Sequence, residues 1–325
     1  MSTRESALQS WLSERLPTQQ FTLSLLAGDA SFRRYYRINH QGKSWVVMDA
    51  PPEREPITAF LAIDHLLNSH GLHVPRIEAA TNEMGFILME DLGDALFLDL
   101  LTKDSANELY QHALDLLVTM QSIPTEQSSL SHYDSNRLLT ELHLFIDWFC
   151  LKYLALDLHQ QEITQLTEIF TNLAQEVANQ ASCFVHRDYH SRNIMAISNH
   201  PIKLSIIDFQ DAVIGPYTYD VVSLLKDCYI DWPSDQQQQW CHYYFKQSAF
   251  HENISFDQFM LDYHLCGLQR HLRVLGTFSR LYLRDGKDRY LADMPRIMNY
   301  ITHALSETGK YPALQQFFSE RVKLP

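Results

Sequence analysis

The sequence predicts an α+β chain of two lobes, a small β-rich N-terminal lobe over residues 1–92 and a larger, mainly helical lobe over residues 93–325. Three observations lead there. At 325 residues the chain exceeds what one hydrophobic core usually organises. Its N-terminal part carries short β-branched and aromatic runs punctuated by turn residues. From Leu109 onward, apolar residues recur at helical spacing.

Leu8, Trp11, Leu12 and Leu16 make residues 6–16 an amphipathic helix suited to packing. Residues 21–26 read as a strand, Gly28-Asp29-Ala30-Ser31 as a turn and residues 35–38 as the partner strand. After Asn39-His40-Gln41-Gly42 a third strand covers residues 45–48. Small residues in a turn let backbone N–H groups approach an anion. The turn from Gly28 to Phe32 is therefore a candidate phosphate loop, with Ser31 and Phe32 as binding residues, although an ordinary hairpin turn fits the same sequence. Residues 56–69 read as a helix. The apolar strand Phe86-Ile87-Leu88-Met89 then passes abruptly into Glu90-Asp91-Leu92-Gly93.

Residues 94–123 read as one helix with Leu109, Ala113, Leu116, Leu117 and Met120 on its apolar face, ended by Pro124. A polar surface loop follows to residue 135, then helices over 137–154 and 161–180. Phe145, Trp148, Phe149 and Tyr153 fall at helical spacing, as core residues do. Another helix starts near Asp220, a residue suited to an N-cap. Gln236 to Gln239 read as polar helix surface.

Composition narrows the classes of function. There are 39 acidic and 26 basic side chains, a net charge of -13, so no broad attraction to nucleic acid or anionic membrane is expected. The five cysteines are scattered and unpaired in pattern, which suits free thiols in a reducing cytoplasm. No run is long and apolar enough to span a bilayer, and nothing in the sequence calls for an obligate protein partner.

The densest polar stretch lies between apolar runs: Phe184-Val185-His186-Arg187-Asp188-Tyr189-His190-Ser191-Arg192-Asn193-Ile194, then Leu204-Ser205-Ile206-Ile207-Asp208-Phe209-Gln210. The first piece reads H-R-D-x-x-x-x-N and the second is a β-branched run ending in an acid. In phosphoryl transfer one carboxylate orients and deprotonates the acceptor hydroxyl, while an Asn and a second Asp hold the magnesium that bridges the ATP phosphates. Asp188 is the candidate for the first role, Asn193 and Asp208 for the metal. Singly, each would as readily cap or brace a loop. In this order, they point to phosphoryl transfer.

These residues resemble the catalytic loop and metal-binding Asp of the protein-kinase-like fold, in the version of the aminoglycoside phosphotransferase and choline kinase families. Asp208-Phe209-Gln210 stands for D-F-G, His190 follows the catalytic Asp by two, and no A-P-E follows. The resemblance implies a bilobal kinase-like fold, ATP and Mg2+ as cofactors, and Asp220 as a brace for the catalytic loop. It also implies a hinge at which main-chain groups near Glu90 and Leu92 bind adenine. One departure is large. Where a kinase has V-A-I-K, this chain has Trp45-Val46-Val47-Met48, and the following helix has no Glu to pair with a lysine. Of Arg33, Arg34 and Arg37 beside the phosphate loop, Arg34 is favoured to supply the missing charge.

The C-terminal third reverses the sign of the chain. Gln269-Arg270-His271-Leu272-Arg273-Val274-Leu275-Gly276-Thr277-Phe278-Ser279-Arg280-Leu281 and Arg284-Asp285-Gly286-Lys287-Asp288-Arg289-Tyr290 set six cations against two acids. Such a string suits an anionic or hydroxyl-rich ligand, although surface arginines paired with acidic neighbours would give the same composition. With Gly28 to Arg37 and Met48-Asp49-Ala50-Pro51-Pro52, it resembles the bacterial anomeric sugar kinases over nearly the whole chain. That implies phosphorylation of the C1 hydroxyl of N-acetylmuramate and N-acetylglucosamine in peptidoglycan recycling. A small amino sugar would then be the partner, with Arg270, Arg273, Asp285 and Lys287 as expected substrate-binding residues. Two readings stay open on the residues: a kinase of another small acceptor such as an aminoglycoside, choline or an amino acid, and, because of Met48, a nucleotide-binding module without catalysis.

Overall fold

The computed structural model describes residues 3–16, 20–28, 32–126, 128–199 and 201–324. They form two compact units, Met1–Asp99 with Asn193–Asp211, and Leu100–Arg192 with Ala212–Pro325.

The first unit opens with α1 (Thr3–Ser13), then β1 (Thr22–Gly28), β2 (Arg34–His40), β3 (Lys43–Asp49), α2 (Thr58–Ser69), β4 (Ile77–Thr81) and β5 (Phe86–Glu90). The strands form one antiparallel sheet in the order β1-β2-β3-β5-β4. The expected hairpin and third strand are present, while β4, whose Ile-Glu-Ala-Ala-Thr sequence carries a weak strand signal, was not expected. Leu8, Trp11 and Leu12 of α1 pack with Ile38, Val47, Phe86 and Leu88 of the sheet, and Trp11 meets Phe86 at 5.7 Å between ring centroids. Each such side chain contributes roughly 1.5–3 kcal/mol by leaving water.

The chain leaves this unit through α3 (Phe97–Leu100) and enters α4 (Ala106–Gln121). The single helix expected over 94–123 is thus divided. Between its two parts the Ser105 hydroxyl donates to the Leu100 carbonyl (2.7 Å), and the Ser105 N–H donates to the Thr102 hydroxyl (3.1 Å). These local bonds compete with helical ones.

In the second unit α5 (Ser135–Leu144) changes winding to a π-helix over Phe145–Tyr153, and α6 (Gln160–Ala178) and β6 (Ser182–Val185) follow. The expected continuous helix over 137–154 therefore changes type at Leu144. Phe145 and Phe149 are fully buried, while Trp148 is half-buried under Lys152. Next come β7 (Ile194–Asn199) and β8 (Ile202–Ile206), a hairpin that belongs to the first unit. There the Ala196 N–H bonds to the Ala95 carbonyl (2.9 Å) and the Ile206 N–H to the His73 carbonyl (3.0 Å).

The second unit resumes with β9 (Val213–Pro216), which pairs with β6, then α7 (Tyr219–Leu225), α8 (Ser234–Gln247), α9 (Phe256–Asp285), α10 (Met294–Thr308) and α11 (Pro312–Arg321). Within the polar run of α8, Gln237 is buried and donates to the Trp232 carbonyl (2.8 Å). The 30-residue α9 starts on a Ser255 cap and ends at left-handed Gly286. At Gly276 it runs so close to α5 that a Cβ would lie 2.3 Å from the Leu144 carbonyl carbon.

Candidate active site

In the second unit, β6 delivers the loop from His186 to Arg192. The fully buried Asp220 carboxylate accepts hydrogen bonds from the backbone N–H groups of His186 (2.6 Å) and Arg187 (3.0 Å). These bonds fasten Arg187 at a φ of 77°, a left-handed conformation that costs a non-glycine residue energy. Burial raises the Asp220 carboxyl to about 7, against the pull of the two N–H donors. Asp220 is the brace that the kinase resemblance implies and not a helix cap, since Thr218 occupies the N-cap of α7. A second brace is Asp227, which accepts from the N–H groups of Ser191 (2.9 Å) and Tyr229 (2.9 Å). Buried His186 takes the Asp188 N–H on Nδ1 (3.3 Å), a supporting role.

Asp188 itself is surrounded by positive charge. Burial would raise its carboxyl, but Arg273, His190, Arg270 and Arg187 outweigh burial and hold it down at about 2. It is therefore ionised at neutral pH and able to accept a hydrogen bond from a hydroxyl. Glu141 on α5 gathers the cations: it pairs with Arg187 (2.8 Å) and Arg273 (3.2 Å) and accepts from the Tyr133 hydroxyl. Arg273 also donates to the Tyr219 hydroxyl (2.9 Å), and Arg270, 2% exposed, donates to the Cys228 sulfur (3.8 Å). Arg270 and Arg273, expected as substrate-binding residues, are both engaged inside the unit, and their charges act on Asp188. Asp285 is exposed and paired with Arg284 (2.7 Å), and half-buried Lys287 follows the Gly286 cap.

In the first unit the β7–β8 hairpin sets Asn193 beside Asp208. The Ile207 N–H donates to the Asn193 carbonyl (3.0 Å), and Asn193 Nδ2 lies 3.4 Å from Asp208 Oδ2. Gln210 Nε2 donates to the other Asp208 oxygen (2.9 Å). Asp208 is exposed at a φ of 63°, while buried Phe209 anchors it by packing on Phe60 at 4.8 Å. A carboxylate beside an amide carbonyl is a hard oxygen donor set that fits Mg2+, an ion that keeps several of its own waters. Turning the Asn193 amide over would present its oxygen to the ion.

The residues expected to face the nucleotide lie in the same unit. Met48 is fully buried, opposite Ile87 and Tyr35. Arg37 is bound to Asp91 (2.7 Å) and Asp94 (2.8 Å), and Arg33 to Glu55 (2.6 Å). Glu55 also accepts the Phe32 N–H (2.9 Å), and the exposed Phe32 ring stacks with Arg54. Arg34 is exposed; its hydrogen bond and charge contact with Tyr36 raise its pKa, and no ion pair to a carboxylate is found for it among the described residues. Glu90 closes β5 with its N–H on the Arg76 carbonyl (2.9 Å), and Leu92 is half-buried. Ser31 lies outside the described residues.

Sequence reasoning did not single out Glu141 or Asp227. A carboxylate on a helix or after a lysine has no local mark of a bracing role. The sequence spacing to Arg187 and Ser191 becomes informative only once the fold is known.

A loop carboxylate kept ionised, a braced H-R-D turn and Asn193 beside Asp208 at the following hairpin define the class, a kinase-type phosphotransferase. The comparisons agree: residues 22–253 match the phosphotransferase enzyme family, and the chain belongs to it. It is 38% identical over 302 residues to the N-acetylmuramate/N-acetylglucosamine kinase of Pseudomonas putida, covering 92% of this chain and 88% of that protein. To the enzyme of the same name from Pseudomonas aeruginosa it is 40% identical, covering 90% and 86%. Among solved structures, an ethanolamine kinase of Plasmodium vivax superposes with a TM-score of 0.67 at 11% identity, over 93% of this chain and 89% of that one. The ADP-bound aminoglycoside phosphotransferase APH(2'')-Ib gives a TM-score of 0.62 at 16% identity, over 94% and 99%. At such identities these two structures establish the fold, which is the expected kinase-like α+β fold.

Proposed function

We propose that this phosphotransferase moves the γ-phosphoryl group of ATP to the C1 hydroxyl of N-acetylmuramate and N-acetylglucosamine. The observation that carries the transfer chemistry is the ionised Asp188 on a loop fastened by Asp220. The substrate class is supported by the relatives of that name, which match the chain over about nine-tenths of its length.

The sugar hydroxyl donates a hydrogen bond to Asp188, and its oxygen attacks the γ-phosphorus as the bond to ADP breaks. An anomeric hydroxyl is more acidic than an ordinary alcohol, so Asp188 orients it and takes the proton late. Asn193 and Asp208 hold Mg2+, which when bound neutralises charge on the phosphate oxygens. Main-chain groups at Glu90 and Leu92 hold adenine. Phe32 and Arg34 line the phosphates, with Arg34 in the role of the lysine that Met48 replaces. Asp285 and Lys287 bind the sugar hydroxyls. No described helix is long and apolar enough to cross a membrane. A cytoplasmic site of action fits the five free, buried thiols.

A coupled ADP-release assay over the two amino sugars, choline, an aminoglycoside and amino acids tests the acceptor. Turnover is expected with the amino sugars and Mg2+. Turnover confined to a cationic acceptor would refute the substrate assignment.

A further inference from the structure

The two proposed acceptors differ by one charged group, the lactyl carboxylate carried by N-acetylmuramate. A protein that uses both sugars needs a cation that serves one and tolerates the other. Arg270 and Arg273 are engaged in the interior, and Arg187 is held by Glu141.

Arg192 is different. It is exposed, four residues after Asp188 in the same unit, and no ion pair to a carboxylate is found for it among the described residues. Its guanidinium carbon lies 3.7 Å from the centre of the Tyr229 ring. The support beneath it is built: one carboxylate, Asp227, accepts the N–H of Ser191, just before Arg192, and the N–H of Tyr229 itself (2.9 Å each). The His190 ring, on the Asp188 side of the loop sequence, lies 5.3 Å from Tyr229 between centroids with the two planes nearly perpendicular. A guanidinium stacked on an aromatic face keeps its fork of donors open in its plane and loses little freedom when it pairs with a carboxylate.

We propose that Arg192, aimed by Tyr229 and Asp227, is the specificity residue that pairs with the carboxylate of N-acetylmuramate. The assignment rests on the amino-sugar activity proposed above. N-acetylglucosamine has no such group and leaves Arg192 to solvent.

The test is steady-state kinetics of wild-type protein, Arg192→Met and Arg192→Lys on each sugar, with KM for ATP measured in parallel. Loss of a charge-assisted pair predicts that Arg192→Met lowers kcat/KM for N-acetylmuramate by about 10- to 100-fold, mostly through KM. The value for N-acetylglucosamine should stay within about twofold, KM for ATP should not move, and Arg192→Lys should recover part of the loss. Equal losses on both sugars, no loss on either, or a raised KM for ATP would overturn the assignment. Wild-type protein inactive on both sugars would instead refute the amino-sugar activity itself, and this residue's role with it.

Discussion

At the scale of residues, two strained positions fall in the candidate site. Arg187 and Asp208 both hold positive φ without being glycine, and each is fixed from outside its own backbone, by Asp220 and by Phe209 packing on Phe60. Asp188 needs no such distortion, because the surrounding arginines keep it charged. With its folded pKa at about 2, below the ordinary value, its stabilising charge is fully present above about pH 4. It is lost only as the pH falls through 2. Asp188→Asn is expected to lower turnover by about 10²- to 10⁴-fold. Calorimetric ATP binding should stay within a few fold of wild type, and a variant that keeps full turnover would remove Asp188 from the reaction. Asp188, Asn193 and Asp208 stand out in the sequence because phosphoryl transfer calls for those residue types at that spacing. The partners of Arg270 and Arg273 were not readable, since an arginine on a helix looks like surface until the fold brings Cys228 beside Arg270 and Glu141 and Tyr219 beside Arg273.

At the scale of elements, strands with clear alternation and helices with strong apolar stripes were readable, including α1 as a packing element. What escaped was set by contacts distant in sequence or by local side-chain bonds. The break between α3 and α4 follows from hydroxyl groups bonding the backbone, and β7 is short and shares the weak signal of β4. The change to π winding after Leu144 falls where α9 passes at Gly276. A methyl group there would press on the Leu144 carbonyl, so Gly276→Ala should destabilise the fold by about 1–3 kcal/mol. Urea denaturation measures this. A midpoint equal to wild type would mean that the approach of α9 to α5 is looser than described.

At the scale of the whole molecule, the sequence suggested a boundary between residues 92 and 93 and held no sign that the β7–β8 hairpin joins the N-terminal unit. A segment that lies late in the sequence joins the first unit because its backbone bonds to His73 and Ala95. That arrangement puts Asn193 and Asp208 in the unit that also carries the residues proposed to bind the nucleotide. Asp188 and Arg192 stay in the unit that holds the buried cations. The overall charge of -13 thus hides a local reversal that serves the carboxylate of Asp188.

The central claim is that the phosphoryl group goes to the anomeric oxygen. Phosphorus NMR of the product made from N-acetylglucosamine and ATP tests it most directly. A phosphate on C1 couples to the anomeric proton, so a proton–phosphorus correlation to H1 is the expected result. A correlation to another ring proton would place the phosphate on a secondary hydroxyl and contradict the account. A phosphate on the primary hydroxyl couples to two protons, and that signal, or no phosphosugar at all, would contradict the account.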